Sequence, residues 1–277
     1  MRFGFQVRVD KGFKEALHYA LELGCETIQT LITSPLSWKI SKNPDEFKWY
    51  ISELKENDIY PIAIHSPYLL NLASPEEDVY KKSVLILIEH LRFAEEGGAD
   101  FVIVHAGSHK DEGVEIGMER LTQALRMILE YHKGKAMLLV ENTAGGGSGM
   151  CSSIEEMEML LENVNSDKIG ICLDICHLFA AGYDLRTADK VAELSNKVES
   201  KLGEKVKLIH LNDCRSPLGS KVDRHESLGK GNIGIKGIKA IINDSFFSQL
   251  PAIMETPYDP EEDRYNIYLA KYLRDEA

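Results

Sequence analysis

Nine side chains able to hold a divalent cation recur at a regular place in this 277-residue sequence. His65, His105, Glu141, Asp174, His210 and Glu255 each close a short apolar run, His177 follows Asp174 by three residues, and Asp223 and His225 flank Arg224 in a polar loop. Imidazole and carboxylate donors without thiolate suit zinc or manganese, and the residue types do not choose between them. Nine donors are too many for one ion, since zinc takes about four and a catalytic site keeps one position open. Shared among three ions, with one carboxylate bridging, they are accommodated. Clustered divalent ions are a solution to phosphodiester hydrolysis, because they generate a nucleophile and stabilise charge on the phosphorus centre and the leaving oxygen. Such chemistry requires no Ser-His-Asp or Cys-His nucleophile.

The elements that must position these groups can be read from the apolar runs themselves. They lie at Arg2–Val7, Glu26–Leu31, Tyr60–Ile64, Asp100–His105, Ala136–Glu141, Ile169–Asp174, Val206–Leu211 and Ala252–Glu255. Between them are stretches of helical period, such as Val79–Ala94 with Val84, Leu85, Ile88, Leu91 and Phe93. Eight strand-then-helix units predict an α/β fold, a (β/α)₈ TIM barrel, rather than an open doubly wound sheet. No G-x-G-x-x-G follows the first strand, which disfavours dinucleotide binding. No linker or composition break divides residues 1–277, so one catalytic domain is expected. In such a barrel the carboxyl ends of the strands converge on one rim. Strand alternation adds a check: Phe101 and Ile103 before His105, Met137 and Leu139 before Glu141, Val206 and Leu208 before His210, and Ile253 before Glu255 predict an apolar inward face leading to each donor.

A single histidine at a strand end is more often a satisfied polar group than a metal ligand, so the weight falls on the joint pattern. His18, His90 and His132 fall on helical stretches, and His109, in the loop after the fourth strand, is left undecided. Four carboxylates on one rim would repel one another without cations between them. The net charge of −12 excludes a protein that grips nucleic acid through general basicity. Metal ions would place positive charge at the rim. Over Leu211–Ala240, moreover, Arg215, Lys221, Arg224, Lys230, Lys236 and Lys239 outnumber Asp213, Asp223 and Glu226. The five cysteines lack C-x-x-C spacing and read as reduced core thiols. No apolar segment approaches membrane-spanning length, and a cytoplasmic monomer with no membrane or protein partner is expected.

The ordered motifs then carry a resemblance. HSPYLLNLAS from His65 to Ser74, VHAGSH from Val104 to His109, ENTAG from Glu141 to Gly145, LDICH from Leu173 to His177, IHLND from Ile209 to Asp213, DRHESLGKGNIG from Asp223 to Gly234 and METP from Met254 to Pro257 span almost the whole chain. The sequence strongly resembles the endonuclease IV family of zinc-dependent apurinic/apyrimidinic endonucleases. That resemblance implies three zinc ions, with manganese an option at one or more positions. His65, His105 and Glu141 would hold the first, Glu141 as bridge with Asp174, His210 and Glu255 the second, and His177, Asp223 and His225 the third.

It further implies DNA repair on abasic duplex: a hydroxide attacks the phosphate 5′ to the abasic sugar, leaving a 3′-hydroxyl and a 5′-deoxyribose phosphate, with 3′-end cleaning as a companion activity. Tyr68 and Leu69 match positions that enter the minor groove and the abasic gap, and Arg224 a phosphate contact. Similar sequences often carry arginine where this chain has Leu36, and an apolar wedge can also prop open a base step. The main rival is a metal-dependent sugar isomerase or epimerase on the same barrel. It would need only one or two ions. A catalytically silent DNA-binding protein with structural metals is the other, though structural zinc sites are usually closed and thiolate-rich.

Overall fold

The computed structural model describes residues 1–34, 37–40 and 42–276. The strands are β1 (Phe3–Val7), β2 (Thr27–Thr30), β3 (Ile62–His65), β4 (Phe101–His105), β5 (Met137–Glu141), β6 (Ile169–Asp174), β7 (Val206–His210), β8 (Asp213–Cys214), β9 (His225–Glu226) and β10 (Ala252–Met254). The helices are α1 (Phe13–Leu23), α2 (Pro44–Glu56), α3 (Glu77–Gly97), α4 (Val114–Tyr131), α5 (Ile154–Val164), α6 (Ile175–Ala181), α7 (Ala188–Lys201), α8 (Gly234–Asn243) and α9 (Pro260–Asp275). Eight strands close a parallel barrel in the order β1-β10-β7-β6-β5-β4-β3-β2, while β8 and β9 form an antiparallel ribbon above its mouth. The expected (β/α)₈ TIM barrel is therefore the fold observed. No helix among the described residues is long and apolar enough to cross a membrane.

Inward alternation fills the barrel with Ala63, Ile103, Leu139, Cys172, Leu208 and Ile253, packed from below by Phe101 and Met137. Each fully buried Leu or Ile contributes about 1.5–3 kcal/mol, so this plug fixes the strand phase on which the rim depends. One expectation fails: Val206 joins the outer core instead. The register between β6 and β7 shifts at Ile171/Cys172, where Ile171 faces Val206 and Cys172 faces Leu208. The extra residue reverses the alternation below Leu208, as a bulge does, and leaves the inward phase of Leu208 and His210 intact.

Element ends follow local chemistry. The third strand begins at Ile62 rather than Tyr60 because Pro61 has no N–H to donate; the Ile62 N–H goes to Asp100 Oδ2 at 2.8 Å. Helix α3 runs past Ala94 to Gly97 and stops where Gly98 turns left-handed at φ 84°. Asn43, Ser153 and Asp259 cap α2, α5 and α9 through side-chain oxygens. Gly4 is required by contact, since a Cβ there would lie 1.6 Å from the Thr27 carbonyl oxygen.

Candidate metal centre

The barrel brings all nine expected donors to one rim, where they form three groups, the first two sharing Glu141, and Asp174 and His225 also approach Cys176 closely enough to make a fourth. Ligand atoms within 4.8 Å of one another join His65, His105 and Glu141; Glu141, Asp174, His210 and Glu255; and His177, Asp223 and His225. Glu141 belongs to the first two groups because it ends β5 in the middle of the row, with Oε2 3.0 Å from His65 Nε2 and Oε1 3.0 Å from His210 Nδ1. Asp174 stands between the second and third, its Oδ2 3.8 Å from His210 Nδ1 and 3.4 Å from His225 Nε2. Asp223 completes the third group, 3.1 Å from His177 Nε2 and 3.2 Å from His225 Nε2.

The tautomers test whether these groups fit cations. His65 Nδ1 lies 2.6 Å from the Ser66 carbonyl, His177 Nδ1 2.8 Å from the Asn142 carbonyl, and His225 Nδ1 3.0 Å from the Glu255 carbonyl. A carbonyl only accepts, so each ring donates there and turns its Nε2 lone pair toward a carboxylate. In His210 the roles are exchanged. The Gln29 amide nitrogen donates to Gln6 Oε1 at 2.7 Å and Glu255 Oε1 at 2.6 Å, which leaves Gln29 Oε1 to accept from His210 Nε2 at 2.8 Å. His210 Nδ1 then confronts Glu141, Glu255 and Asp174 at 3.0, 3.4 and 3.8 Å. A lone pair aimed at a carboxylate oxygen repels it unless a proton or a cation lies between. Among the described residues the buried His225 Nε2 has no partner in good hydrogen-bonding geometry, although Asp223 and Asp174 lie 3.2 and 3.4 Å away. Separations of 3.0–3.4 Å between donors such as His65 and Glu141 or His225 and Asp174 match the roughly 3.3 Å that tetrahedral bonds of about 2.05 Å would impose. The donor set fits divalent cations.

Titration behaviour reports the same crowding. Burial opposes charge on His177 and His225, yet Asp174 and Asp223 push them up to about 10 and about 9. His210 is likewise driven well above the usual imidazole range, against burial, by Cys172, Glu255 and Glu141. Burial outweighs Glu141 at His105 and lowers it. Glu141, although buried, is held far below the usual carboxylate range by His105, His210 and His65.

Several buried amides in this site could not be picked out from the sequence. Asn142 Oδ1 accepts from the Asp174 N–H at 2.7 Å, Asn212 Nδ2 donates to Asp174 Oδ2 at 2.8 Å, and Asn212 Oδ1 accepts from the Glu255 N–H at 2.7 Å. Asp174 also caps α6 by accepting from the His177 N–H at 2.7 Å, which ties the two donors together. The available signal was positional: Gln6 and Gln29 lie inside β1 and β2, and Asn142 and Asn212 directly follow donor-bearing or donor-adjacent residues.

The remaining expectations divide. Tyr68, 49% exposed, stands over the centre with its ring 5.4 Å from His65 and 5.6 Å from His105. Tyr68 and Leu69 line a cleft of about 410 Å³ that reaches His105, His177, Lys221 and Asp223. Arg224 is exposed and forms no ion pair among the described residues. Leu36 lies outside the described residues. His109, left open by the sequence, is in none of the three groups and accepts the Gly113 N–H at 3.1 Å at the start of α4. His90 and His132 hydrogen-bond to carbonyls of Ile86 and Ala136 away from the rim. All five cysteines are free and buried.

Known proteins with related sequences and folds give a consistent picture. A family model described as xylose isomerase-like TIM barrel matches residues 12–275. A protein named probable endonuclease 4 from Halothermothrix orenii is 38% identical over 277 residues, covering 99% of each chain. One of the same name from a Sulfurihydrogenibium species is 37% identical over 276 residues, again 99% of each. The crystal structure of endonuclease IV from Thermus thermophilus superposes with a TM-score of 0.87 at 34% identity over 100% of both chains. A D-tagatose 3-epimerase-like protein shares the fold alone, at 19% identity and a TM-score of 0.76.

Proposed function

The chain belongs to the endonuclease IV family, and from that premise we propose that it is an apurinic/apyrimidinic endodeoxyribonuclease that cuts the phosphodiester 5′ to an abasic site. The products are a 3′-hydroxyl and a 5′-deoxyribose phosphate, and removal of blocked 3′ ends is a companion activity of the same centre. The observation that carries this reading is the set of four imidazoles whose lone pairs face carboxylates. His65, His105 and Glu141 would hold one ion, Glu141, Asp174, His210 and Glu255 a second, and His177, Asp223 and His225 a third. Zinc is the ion proposed, with manganese at one or more positions. When bound, such ions supply Lewis acidity for phosphodiester hydrolysis and offset the charge that builds on the phosphate oxygens.

The chain's own groups do the rest. Glu141 is the residue proposed as catalytic, because its two oxygens belong to adjacent donor groups. Leu139, Leu208 and Ile253 seal the floor beneath the centre, which excludes water from below and strengthens electrostatic interactions there. Tyr68 and Leu69 are proposed to fill the gap left by the missing base, and Arg224 to pair with a backbone phosphate. Leu36 is proposed to act as an apolar wedge in the base stack. Residues 1–277 would work as one catalytic domain, as a cytoplasmic monomer on double-stranded DNA.

A sugar isomerase or epimerase needs one or two ions and a proton-transferring pair, and gives no role to a third donor group at His177, Asp223 and His225. Incubation with abasic duplex beside a panel of aldoses distinguishes the two. Nicking 5′ to the abasic sugar, without aldose turnover, is the expected outcome. Aldose conversion without nicking contradicts it.

A further inference from the structure

Two of the five cysteines lie against the metal centre, and neither belongs to the nine donors. Cys176, in the first turn of α6, donates from Sγ to Asp223 Oδ1 at 3.8 Å. The Cys214 thiol, on β8, lies against the Cys176 thiol where α6 packs on the ribbon. Two thiols in contact on separate elements meet the first requirement of a disulfide.

Every donor of the third group is tied to this pair. His177 follows Cys176 in α6, Asp223 accepts from Cys176, and His225 stands opposite Cys214 in the β8–β9 ribbon. The Cys176 sulfur itself lies within 4.8 Å of ligand atoms of Asp174 and His225. Both cysteines are buried, but the partner of Cys176 is half-exposed Asp223, on the wall of the cleft that also reaches His105 and His177. A molecule as small as a peroxide therefore has a short way in.

We propose that Cys176 and Cys214 are an oxidation site at which hydrogen peroxide converts the two thiols to a disulfide and the third metal position is lost. One thiol sulfur attacks a peroxide oxygen, the O–O bond breaks, and a sulfenic acid and one water form. The second sulfur then displaces the sulfenic hydroxyl, which leaves as a second water with the remaining thiol proton. Both sulfurs are oxidised, the peroxide is reduced, and one S–S bond has formed. Cys176 no longer has an S–H to give Asp223. The covalent bond is also shorter than any thiol–thiol contact, so it draws α6 and β8 together and shifts His177 and His225 with them. The inference rests on the three-ion reading given above and adds control of one of its positions.

The test exposes zinc-loaded protein to hydrogen peroxide in the presence of a chromogenic chelator, then maps disulfides by mass spectrometry after alkylation of free thiols. The parent should release about one ion per chain, in step with a peptide pair joined through Cys176 and Cys214. Dithiothreitol followed by zinc should restore its metal content. Cys214→Ser should form no such linkage and hold its ions through the same exposure, each reading being compared with the same protein before treatment. Cys25→Ser, before β2 at the opposite end of the barrel, should respond as the parent does. If Cys214→Ser does not fold, the peptide map and metal release of the parent decide alone. Release without the Cys176–Cys214 linkage, the linkage without release, thiols that stay unmodified, or equal release from Cys214→Ser each overturns the proposal. Elemental analysis before treatment separates the two readings. A parent that starts without a third ion ends the three-ion reading and this inference with it, whereas a fully loaded parent that keeps every ion when linked ends this inference alone.

Discussion

Strands β3 to β7, with Glu255 just beyond β10, bring carboxylate and imidazole to the rim; β1 and β2 bring only the amides of Gln6 and Gln29 to the same depth. The two sectors share one barrel, one strand phase and one apolar floor. Their difference shows how the centre is built. The donor sector concentrates groups that repel one another unless cations are shared, while the amide sector has no charge to add and instead fixes direction. Gln29 commits both amide N–H groups to Gln6 and Glu255 and so leaves His210 only one tautomer with which to reach the carboxylates.

The largest expected effect breaks the donor sector at its centre. Glu141→Gln removes an anionic oxygen from the residue common to two donor groups, and cleavage of abasic duplex should fall by roughly 10²–10³ or more while DNA binding survives. Parent rates, with metal content confirmed, would show that Glu141 bridges nothing. Next comes the amide sector. Gln29→Leu frees the His210 ring to rotate and strands its Nε2–H, and loss of such an orienting partner typically costs about 10–100-fold in metal affinity. Titration with a competing chelator reads this directly. Unchanged affinity would mean that the two sectors are independent.

Smaller effects follow for stability. Removing the cations should lower the melting temperature and expose a pH dependence that the loaded protein lacks. In the stripped protein His177 and His225 titrate near 10 and 9 against an unperturbed 6.5. Their folded-state values are raised, so the stability they contribute is complete below pH 6.5 and is lost as pH climbs toward 9–10. The stripped protein should therefore melt at a lower temperature at about pH 9 than at about pH 6.5, and a flat profile would contradict the geometry around Asp223. The smallest effect belongs to His109→Ala. Loss of its bond to the Gly113 N–H should cost about 1 kcal/mol of stability, with the cleavage rate unchanged.

The contrast between sectors also marks what the sequence made legible. Donors at strand ends could be read because imidazole and carboxylate are rare in an apolar alternation, and the eight-unit repeat placed them on one rim. His109 could not be assigned from its position alone; a backbone N–H in its own loop turns out to satisfy it. Gln29, Asn142 and Asn212 were missed because a neutral amide in a strand or just after one is compatible with many roles. Their partners are also remote in sequence, 32 residues from Asn142 to Asp174 and 226 from Gln29 to Glu255. The bulge that turns Val206 outward had no marker either, since Val206 is apolar on whichever face it lies.

The most direct measurement of the central claim, that nine rim side chains hold three ions for phosphodiester cleavage, is elemental analysis of the active protein beside its Asp223→Ala variant, each assayed on abasic duplex. The account predicts about three divalent ions per chain in the parent, close to one fewer in the variant, and a steep loss of nicking with the missing ion. An active parent carrying a single ion per chain, or a variant that keeps full metal content and full activity, would contradict it.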